Sequence, residues 1–280
     1  MTGKTVLLTG ASSGIGLEAS VKLARLGAQV VMVARDAKRG QAALDDAKAR
    51  SGSDALSLLL CDFASQAAIR ALAAEYRALH PRLDVLVNNA GSVSPKREVT
   101  ADGLERTFAV NHLGYFLLTN LLIDLLEKSA PSRVVNVASV GHRSGTMDFD
   151  NLQFEHGGYG IMKAYSRSKL GNVLFTTELA RRLAAKGVTV NCLHPGGVST
   201  NIWSHAPRYA RPILALAKLF MITPEQGADR IVYLAASPEV EGQTGGYFDK
   251  NRRVAPSALA QDEKLAHRLW ELSARLTQLA

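Results

Sequence analysis

Short apolar runs rich in β-branched residues recur along the chain, separated by longer stretches in which alanine and leucine return every three or four positions. The runs Thr5–Leu8, Val30–Val33, Leu56–Leu60, Val85–Val87, Val134–Ala138, Val188–Leu193 and Gly246–Phe248 have strand length. Ile15–Arg25, Lys38–Arg50, Ser65–Leu79, Asp102–Lys128, Tyr165–Lys186, Pro224–Ala236 and Gln261–Gln278 carry their charges on one side and predict helices. Strands alternating with helices imply βαβ units. The expected fold is therefore α/β: a doubly wound parallel sheet of about seven strands with helices on both faces. Ligands of such a sheet bind beyond the carboxyl ends of its strands, which is where chemistry is to be sought. No repeat, low-complexity tract or linker interrupts residues 1–280, so they read as a single domain. Leu265, Leu269, Trp270, Leu272 and Leu276 form an apolar stripe on the last helix, suited to core packing or to an interface between copies.

Composition narrows the classes. With 47% apolar and 21% charged residues and a net charge of +8, the chain can fill a large core and is neither disordered nor a disulfide scaffold. Cys61 and Cys192 are too few for a disulfide framework or a thiolate metal site, and a reducing, cytoplasmic location is expected. The first residues lack the long apolar core of a secretory leader. The longest charge-free stretch, Phe108 to Ile123, falls short of the roughly 20 apolar residues that span a bilayer. Although the sequence pI is near 9.6, basic residues are scattered, adjacent only in pairs such as Arg181–Arg182 and Arg252–Arg253, and no nucleic-acid partner is expected. The histidines show no metal spacing, no metal is expected, and His142 and His194 read as structural.

The first predicted strand runs into Thr9-Gly10-Ala11-Ser12-Ser13-Gly14-Ile15-Gly16 and then a helix. Glycines there permit a tight turn and let backbone amides approach a pyrophosphate, while the helix N-terminus favours its negative charge. Gly10, Ser12, Ser13, Gly14, Ile15 and Gly16 are the candidate phosphate cradle. At the end of the second strand stands Arg35, where a carboxylate would bind adenosine ribose hydroxyls; a guanidinium suits a 2′-phosphate, pointing to NADP(H) over NAD(H). Asp36 beside it leaves that choice open, and Arg39 adds charge. Asp62, followed by Phe63, reads either as a partner for an adenine amino group or as a cap for the helix from Ser65. Asn88-Asn89-Ala90-Gly91 follows the fourth strand, where small residues let backbone pass close to a cofactor.

These pieces, together with Tyr165-Ser166-Arg167-Ser168-Lys169, resemble the short-chain dehydrogenase/reductase family, over nearly the whole chain. The resemblance implies a Rossmann-type sheet. Tyrosine and lysine four positions apart share a helix face, and a nearby ammonium favours the phenolate needed by a general acid/base. Tyr165 is then the acid/base, Ser139 the group that orients the substrate oxygen, and Lys169 the cation that also binds the nicotinamide ribose. Asn111 completes a water relay. Pro195-Gly196-Gly197-Val198-Ser199-Thr200 matches the loop that packs along the nicotinamide, with Pro195, Gly196, Val198 and Thr200 as contacts; the usual family form has one glycine here, so Gly197 is a departure.

Residues 165–176, 190–196 and 237–242 look more like the retinol dehydrogenase branch than the bacterial acyl-carrier ketoreductases, implying a lipophilic alcohol or carbonyl substrate resembling retinal, a steroid or a fatty aldehyde. Ser139 and Tyr165 are 26 positions apart, about twice the common family spacing, so an insertion around Arg143–Gly160 must loop out beside the site. Residues 201–222 fall where the family carries a substrate lid; Arg208, Arg211 and Lys218 could rest it on an anionic membrane surface. The resemblance also implies a homo-oligomer. A cofactor-sensing protein that keeps the fold without turnover is the rival reading, and the presence of both Tyr165 and Lys169 argues against it.

Overall fold

The computed structural model describes residues 1–197 and 222–279. Val198, Thr200 and all of the expected lid except Ile222 lie outside the described residues. The element order is β1 (Thr5–Thr9), α1 (Gly14–Arg25), β2 (Gln29–Ala34), α2 (Ala37–Ser51), β3 (Leu56–Leu60), α3 (Gln66–Leu79) and β4 (Val85–Asn88). After a long connection come α4 (Arg106–Phe108), a π-helical turn (Ala109–Leu113), α5 (Gly114–Lys128), β5 (Ser132–Val137), α6 (Ile161–Arg182) and β6 (Val188–His194). The described chain closes with α7 (Pro224–Ala236), β7 (Tyr247–Asp249), β8 (Arg252–Val254) and α8 (Glu263–Leu276).

The strands form one sheet in the order β3-β2-β1-β4-β5-β6-β7-β8. Every pairing is parallel except β7 with β8. The eight strands among the described residues are one more than the pattern predicts. The additional one, Arg-Arg-Val, is exposed along its length and carries no apolar run, and charge on a short edge strand is a common guard against unwanted pairing. Lys250 and Asn251 (φ 48° and 61°) make the two-residue turn that reverses the chain into it.

Alternation along the strands explains the layers. Leu7, Val31 and Val33 face a core built with Ile69, Phe116 and Leu179, whereas Val6, Leu8, Val30 and Met32 face the other core, with Leu23, Leu44 and Ile231. A parallel strand buried on both faces reads as a continuous apolar run, and these do. Between the layers the chain crosses from β1 to the outer strands on one side and to β4 on the other, and the crevice between these two directions opens beyond the carboxyl ends of β1 and β4.

Among the described residues one helical stretch, Arg106–Lys128, is long and apolar enough to cross a membrane, with mean hydropathy 1.3, and 78% of that window is buried inside the protein. It begins four residues later than the periodicity predicts. Glu105, fully buried, accepts from the amides of Thr107 and Phe108 at 2.8 and 2.7 Å, and so fixes the start. The apolar stripe of α8 packs inward: Leu269 is buried, and Leu265, Trp270, Leu272 and Leu276 lie partly buried against the cores.

Glu178 on α6 clasps this last helix. Burial works to raise its carboxyl, but hydrogen bonds from Arg181, His267 and Arg182 outweigh burial and hold it at about 2. An unfolded glutamate titrates near 4.3, so this contribution is present above that value and is lost as pH falls through about 2. Glu178→Gln is expected to lower the urea midpoint at pH 7, by about 1–2 kcal/mol of stability, and to flatten its acid limb between about pH 4.5 and 2. Urea titrations across that range read both effects.

Candidate active site

A groove of about 1560 Å³ runs along the carboxyl ends of the strands. It exceeds the roughly 300–1,000 Å³ of a single small-molecule pocket and has room for a dinucleotide with a substrate beside it. Of the predicted residues, Gly10, Ser12, Ser13, Gly14, Ile15, Gly16, Arg35, Asp62, Phe63, Asn89, Ala90, Gly91, Ser139, Tyr165, Lys169, Pro195 and Gly196 line it. Asn88 and Asn111 do not.

At the nucleotide end, Gly10 (φ 69°) and Gly14 (φ 57°) hold left-handed backbone that favours glycine. Ser13 precedes α1 without capping it, and no acidic residue occupies the first turn. The amides of that turn therefore open on the groove with the positive end of the helix dipole behind them. Thr9 secures the turn from below: its hydroxyl accepts from the amides of Asn89 and Ala90 at 2.9 and 3.0 Å, and Asn89 Nδ2 donates back to the carbonyls of Thr9 and Gly10. A cradle of this shape and polarity fits the pyrophosphate of a dinucleotide.

Arg35 and Arg39 are exposed at the adenosine corner. Asp36 spends a carboxylate oxygen on the Arg39 amide (2.8 Å), capping α2. Asp62 lines the groove and is not the cap of α3, which is Ser65; its Oδ1 accepts from the Ala64 amide at 3.0 Å. Phe63 is buried.

Asn88 serves the framework behind the groove. It is fully buried, and Nδ2 donates to Thr119 Oγ1 and to Asn136 Oδ1 (3.0 and 2.8 Å), with Asn136 in turn reaching Thr176. This ladder ties β4, β5, α5 and α6 together. A cofactor contact at Asn88 is thereby corrected to a structural tie.

At the other end, Ser139 follows β5 and Tyr165 lies one turn into α6, and their side chains are hydrogen-bonded. Burial raises the Tyr165 phenol and the bond from Ser139 lowers it, the first prevailing. That direction is opposite to the one read from the Tyr-x-x-x-Lys spacing. The reason is distance and desolvation: Lys169 Nζ sits 5.8 Å from the Tyr165 ring centroid, donates to the Val137 carbonyl at 2.8 Å, and is itself brought down to about 7 by burial. Gly141 lets the chain after Ser139 pass within reach of the phenol, since a Cβ there would lie 3.3 Å from Tyr165 Cε1.

Asn111 lies one layer behind, in the π-helical turn, a local widening that recurs at functional sites. Both of its amide protons are engaged, by the Ser92 carbonyl (3.0 Å) and Ser168 Oγ (3.1 Å), and Oδ1 accepts from the Ser92 amide. Tyr115, fully buried, donates to the Ala90 carbonyl at 2.8 Å and was not singled out by the sequence; its position four residues after Asn111 was the available signal.

The structural reading of His142 stands on its bonds. Its Nε2 accepts from the Ser257 amide at 3.0 Å, which leaves Nδ1 as the donor to the Ser139 carbonyl at 2.7 Å. Burial lowers its pKa and keeps it neutral. His194 lines the groove with its Nδ1 buried and unpartnered, and burial holds it at about 4. Among the described residues there is no cluster of three or more metal-ligating side chains.

The insertion takes an unexpected position. A 3₁₀ turn, Val140–Ser144, leads into irregular chain up to Gly160, and none of residues 142–161 lines the groove. Val93, Ser94, Pro95, Glu98 and Arg106 line the same groove as Tyr165 and form a wall of it, and Val140 and Met162, also lining it, are exposed. The insertion lies behind that wall: Tyr159 donates to the Ser94 carbonyl, Arg97 to the Gln153 carbonyl, and the Glu105 amide to Gln153 Oε1.

A parallel doubly wound sheet, a glycine turn at its switch point and a serine, tyrosine and lysine gathered at the next strand end define a nucleotide-dependent oxidoreductase fold. The family model for short chain dehydrogenase matches residues 4–209, and the chain belongs to that family. It is 45% identical over 291 residues to retinol dehydrogenase 14 of Homo sapiens, covering 98% of this chain and 86% of that protein. Retinol dehydrogenase 13 of Homo sapiens is 42% identical over 282 residues, covering 99% and 85%. A crystal structure of an uncharacterized protein from Mycobacterium paratuberculosis superimposes with a TM-score of 0.81 at 32% identity, covering 99% of this chain and 94% of that one. An RhlG/NADP active-site complex from Pseudomonas aeruginosa gives 0.70 at 27% identity, covering 89% and 94%. The chain is thus a retinol dehydrogenase-like oxidoreductase of this family, built for a nicotinamide dinucleotide.

Proposed function

We propose that the protein is an NADP(H)-dependent oxidoreductase that interconverts a lipophilic alcohol and its aldehyde or ketone. The observation that carries this reading is the hydrogen-bonded Ser139–Tyr165 pair beside Lys169, at one end of a groove whose other end is a phosphate cradle. When bound, the nicotinamide supplies or accepts the hydride. Tyr165 gives its hydroxyl proton to the carbonyl oxygen in reduction and takes it back in oxidation. Ser139 donates a hydrogen bond to the same oxygen and fixes its distance from the phenol. Lys169 holds the ribose hydroxyls, and Asn111 braces the segment at Ser92. The retinol dehydrogenase relatives and the apolar mouth at Val140 and Met162 support a lipophilic substrate.

Preference for NADP(H) rests on Arg35 and Arg39. With Asp36 committed to capping α2, the groove offers two guanidinium groups where a 2′-phosphate would lie. Consumption of NADPH against a panel of aldehydes and ketones, compared with NADH, tests the function directly. Arg35→Asp is expected to raise the KM for NADPH by about 10–100-fold, as the loss of one charge-assisted contact and the gain of a repulsive one require, while leaving NADH nearly unaffected. A wild-type preference for NADH would overturn the assignment.

A further inference from the structure

We propose that Arg167 is a positioning residue that sets the substrate wall, holding the insertion as a brace between the helix that carries Tyr165 and the groove wall at Val93–Pro95. This rests on the reading of the groove as a carbonyl site. Arg167 occupies the middle of Tyr-x-x-x-Lys, two positions from each partner, and so points roughly 200° around α6 from both. It lies on the far side of the helix from the groove and is buried, with 5% of its surface exposed.

There its guanidinium gathers the insertion. Nε donates to the Thr146 carbonyl at 3.2 Å, Nη1 to the carbonyls of Asn151 and Leu152 at 2.7 Å each, and the plane lies over the Phe154 ring at 4.1 Å. Phe154 has φ 56°, a conformation a bulky residue adopts only when its surroundings impose it. The arginine stack, a perpendicular contact with Tyr159 at 5.3 Å and the turn bond to Asn151 are those surroundings. The other side of the insertion is bonded to the wall. Tyr159 Oη donates to the Ser94 carbonyl at 2.7 Å, and Gln153 receives Arg97 and the Glu105 amide at 2.7 and 2.6 Å. From Arg167 to Ser94 the connection runs through the stack on Phe154, the ring contact of Phe154 with Tyr159 and the Tyr159–Ser94 hydrogen bond, all between buried or half-buried groups. The position of Val93–Pro95 relative to the Tyr165 phenol is set through it.

Lysine cannot replace this arrangement, because a point charge on a flexible stem does not make three divergent carbonyl bonds and an aromatic stack together. The test compares Arg167→Met, Arg167→Lys and Tyr159→Phe in the full chain by amide exchange and by kinetics with aldehydes of increasing length. Arg167→Met is expected to lower exchange protection about tenfold or more in both 146–159 and 92–106, with β1 and β4 unchanged. KM for the longer aldehydes should rise about 5–20-fold while kcat changes by less than twofold, the signature of lost uniform binding. Arg167→Lys should recover less than half of either effect. Tyr159→Phe, which leaves Arg167 and its carbonyls in place, should loosen 92–106 but not 146–152 and raise the same KM values in part. Loss of protection confined to 146–159, or a fall in kcat with KM unchanged at every length, would overturn the proposal. If no aldehyde is turned over, the reading of the groove fails, while the exchange pattern still decides whether the brace exists.

Discussion

Tyr165→Phe is expected to reduce turnover by about 10²–10⁴-fold or more, the range that general acid/base catalysis contributes, while NADPH affinity stays within about twofold of wild type. The substitution removes one oxygen and leaves the ring, which is packed against the Gly141 backbone and lies 5.8 Å from the Lys169 ammonium. Lys169 keeps its bond to the Val137 carbonyl, and the glycine cradle at the far end of the groove is untouched. The bond with Ser139 and the proton path to the substrate oxygen are lost, and the cofactor's end of the groove is not. Fluorescence titration with NADPH and single-turnover kinetics separate the two effects. Undiminished turnover would remove Tyr165 from the mechanism. A parallel collapse of cofactor affinity would mean that the hydroxyl is structural, holding Ser139 rather than serving the substrate. A wild type that binds NADPH yet turns over no carbonyl would revive the rival reading of a cofactor-sensing protein.

How far the sequence discloses such a site depends on what each residue answers to. The sheet and the cradle are legible because they follow from local rules: apolar alternation places Val6 and Leu8 on one face and Leu7 on the other, and glycines between a strand and a helix have few alternative uses. The eighth strand is invisible to that logic, since Arg252–Val254 pairs by its backbone at an edge and buries nothing. Asn88 and Asn89 are neighbours of the same type, yet strand alternation sends one into the polar ladder with Asn136 and the other to the glycine turn. Nothing in their spacing says which does which. Asn111 is legible as an odd residue in a helix, but the π turn that seats it against Ser92 and Ser168 is a tertiary accommodation. The insertion is legible by length alone; its place behind the wall rather than in it depends on Arg167, Tyr159 and Gln153 finding carbonyls far along the chain. The phenol is the clearest case of a sequence inference reversed in sign: a lysine four residues on predicts a lowered Tyr165, and burial of both groups raises it.

The other large effect is expected at Gly16, where two rules give opposite signs. Gly16 lies in the first turn of α1 and has ordinary helical backbone, so helix propensity alone says that alanine should stabilise it by about 1 kcal/mol. The space around it says otherwise. An added Cβ would stand 2.3 Å from the Gly10 carbonyl oxygen and 2.7 Å from Asn89 Nδ2, the two groups that hold the cradle closed. Neither can yield cheaply, because the Gly10 carbonyl is backbone in a turn at φ 69°, and Asn89 Nδ2 is tied to the carbonyls of Thr9 and Gly10. Gly16→Ala must therefore push α1 away from the turn. It is expected to destabilise the protein by about 1–3 kcal/mol, as overpacking of a close contact does, and to weaken NADPH binding by about 100-fold or more, because the first-turn amides no longer converge on the pyrophosphate. Gly52→Ala is the control: its φ of 68° imposes backbone strain with nothing within 4 Å of the new Cβ, so it should cost about 1–2 kcal/mol and leave affinity unchanged. Thermal unfolding and fluorescence titration of the two variants thus separate general strain from loss of the cradle. An unaltered NADPH affinity in Gly16→Ala would show that the turn can open without consequence, and the glycines would then serve only to let the chain fold tightly.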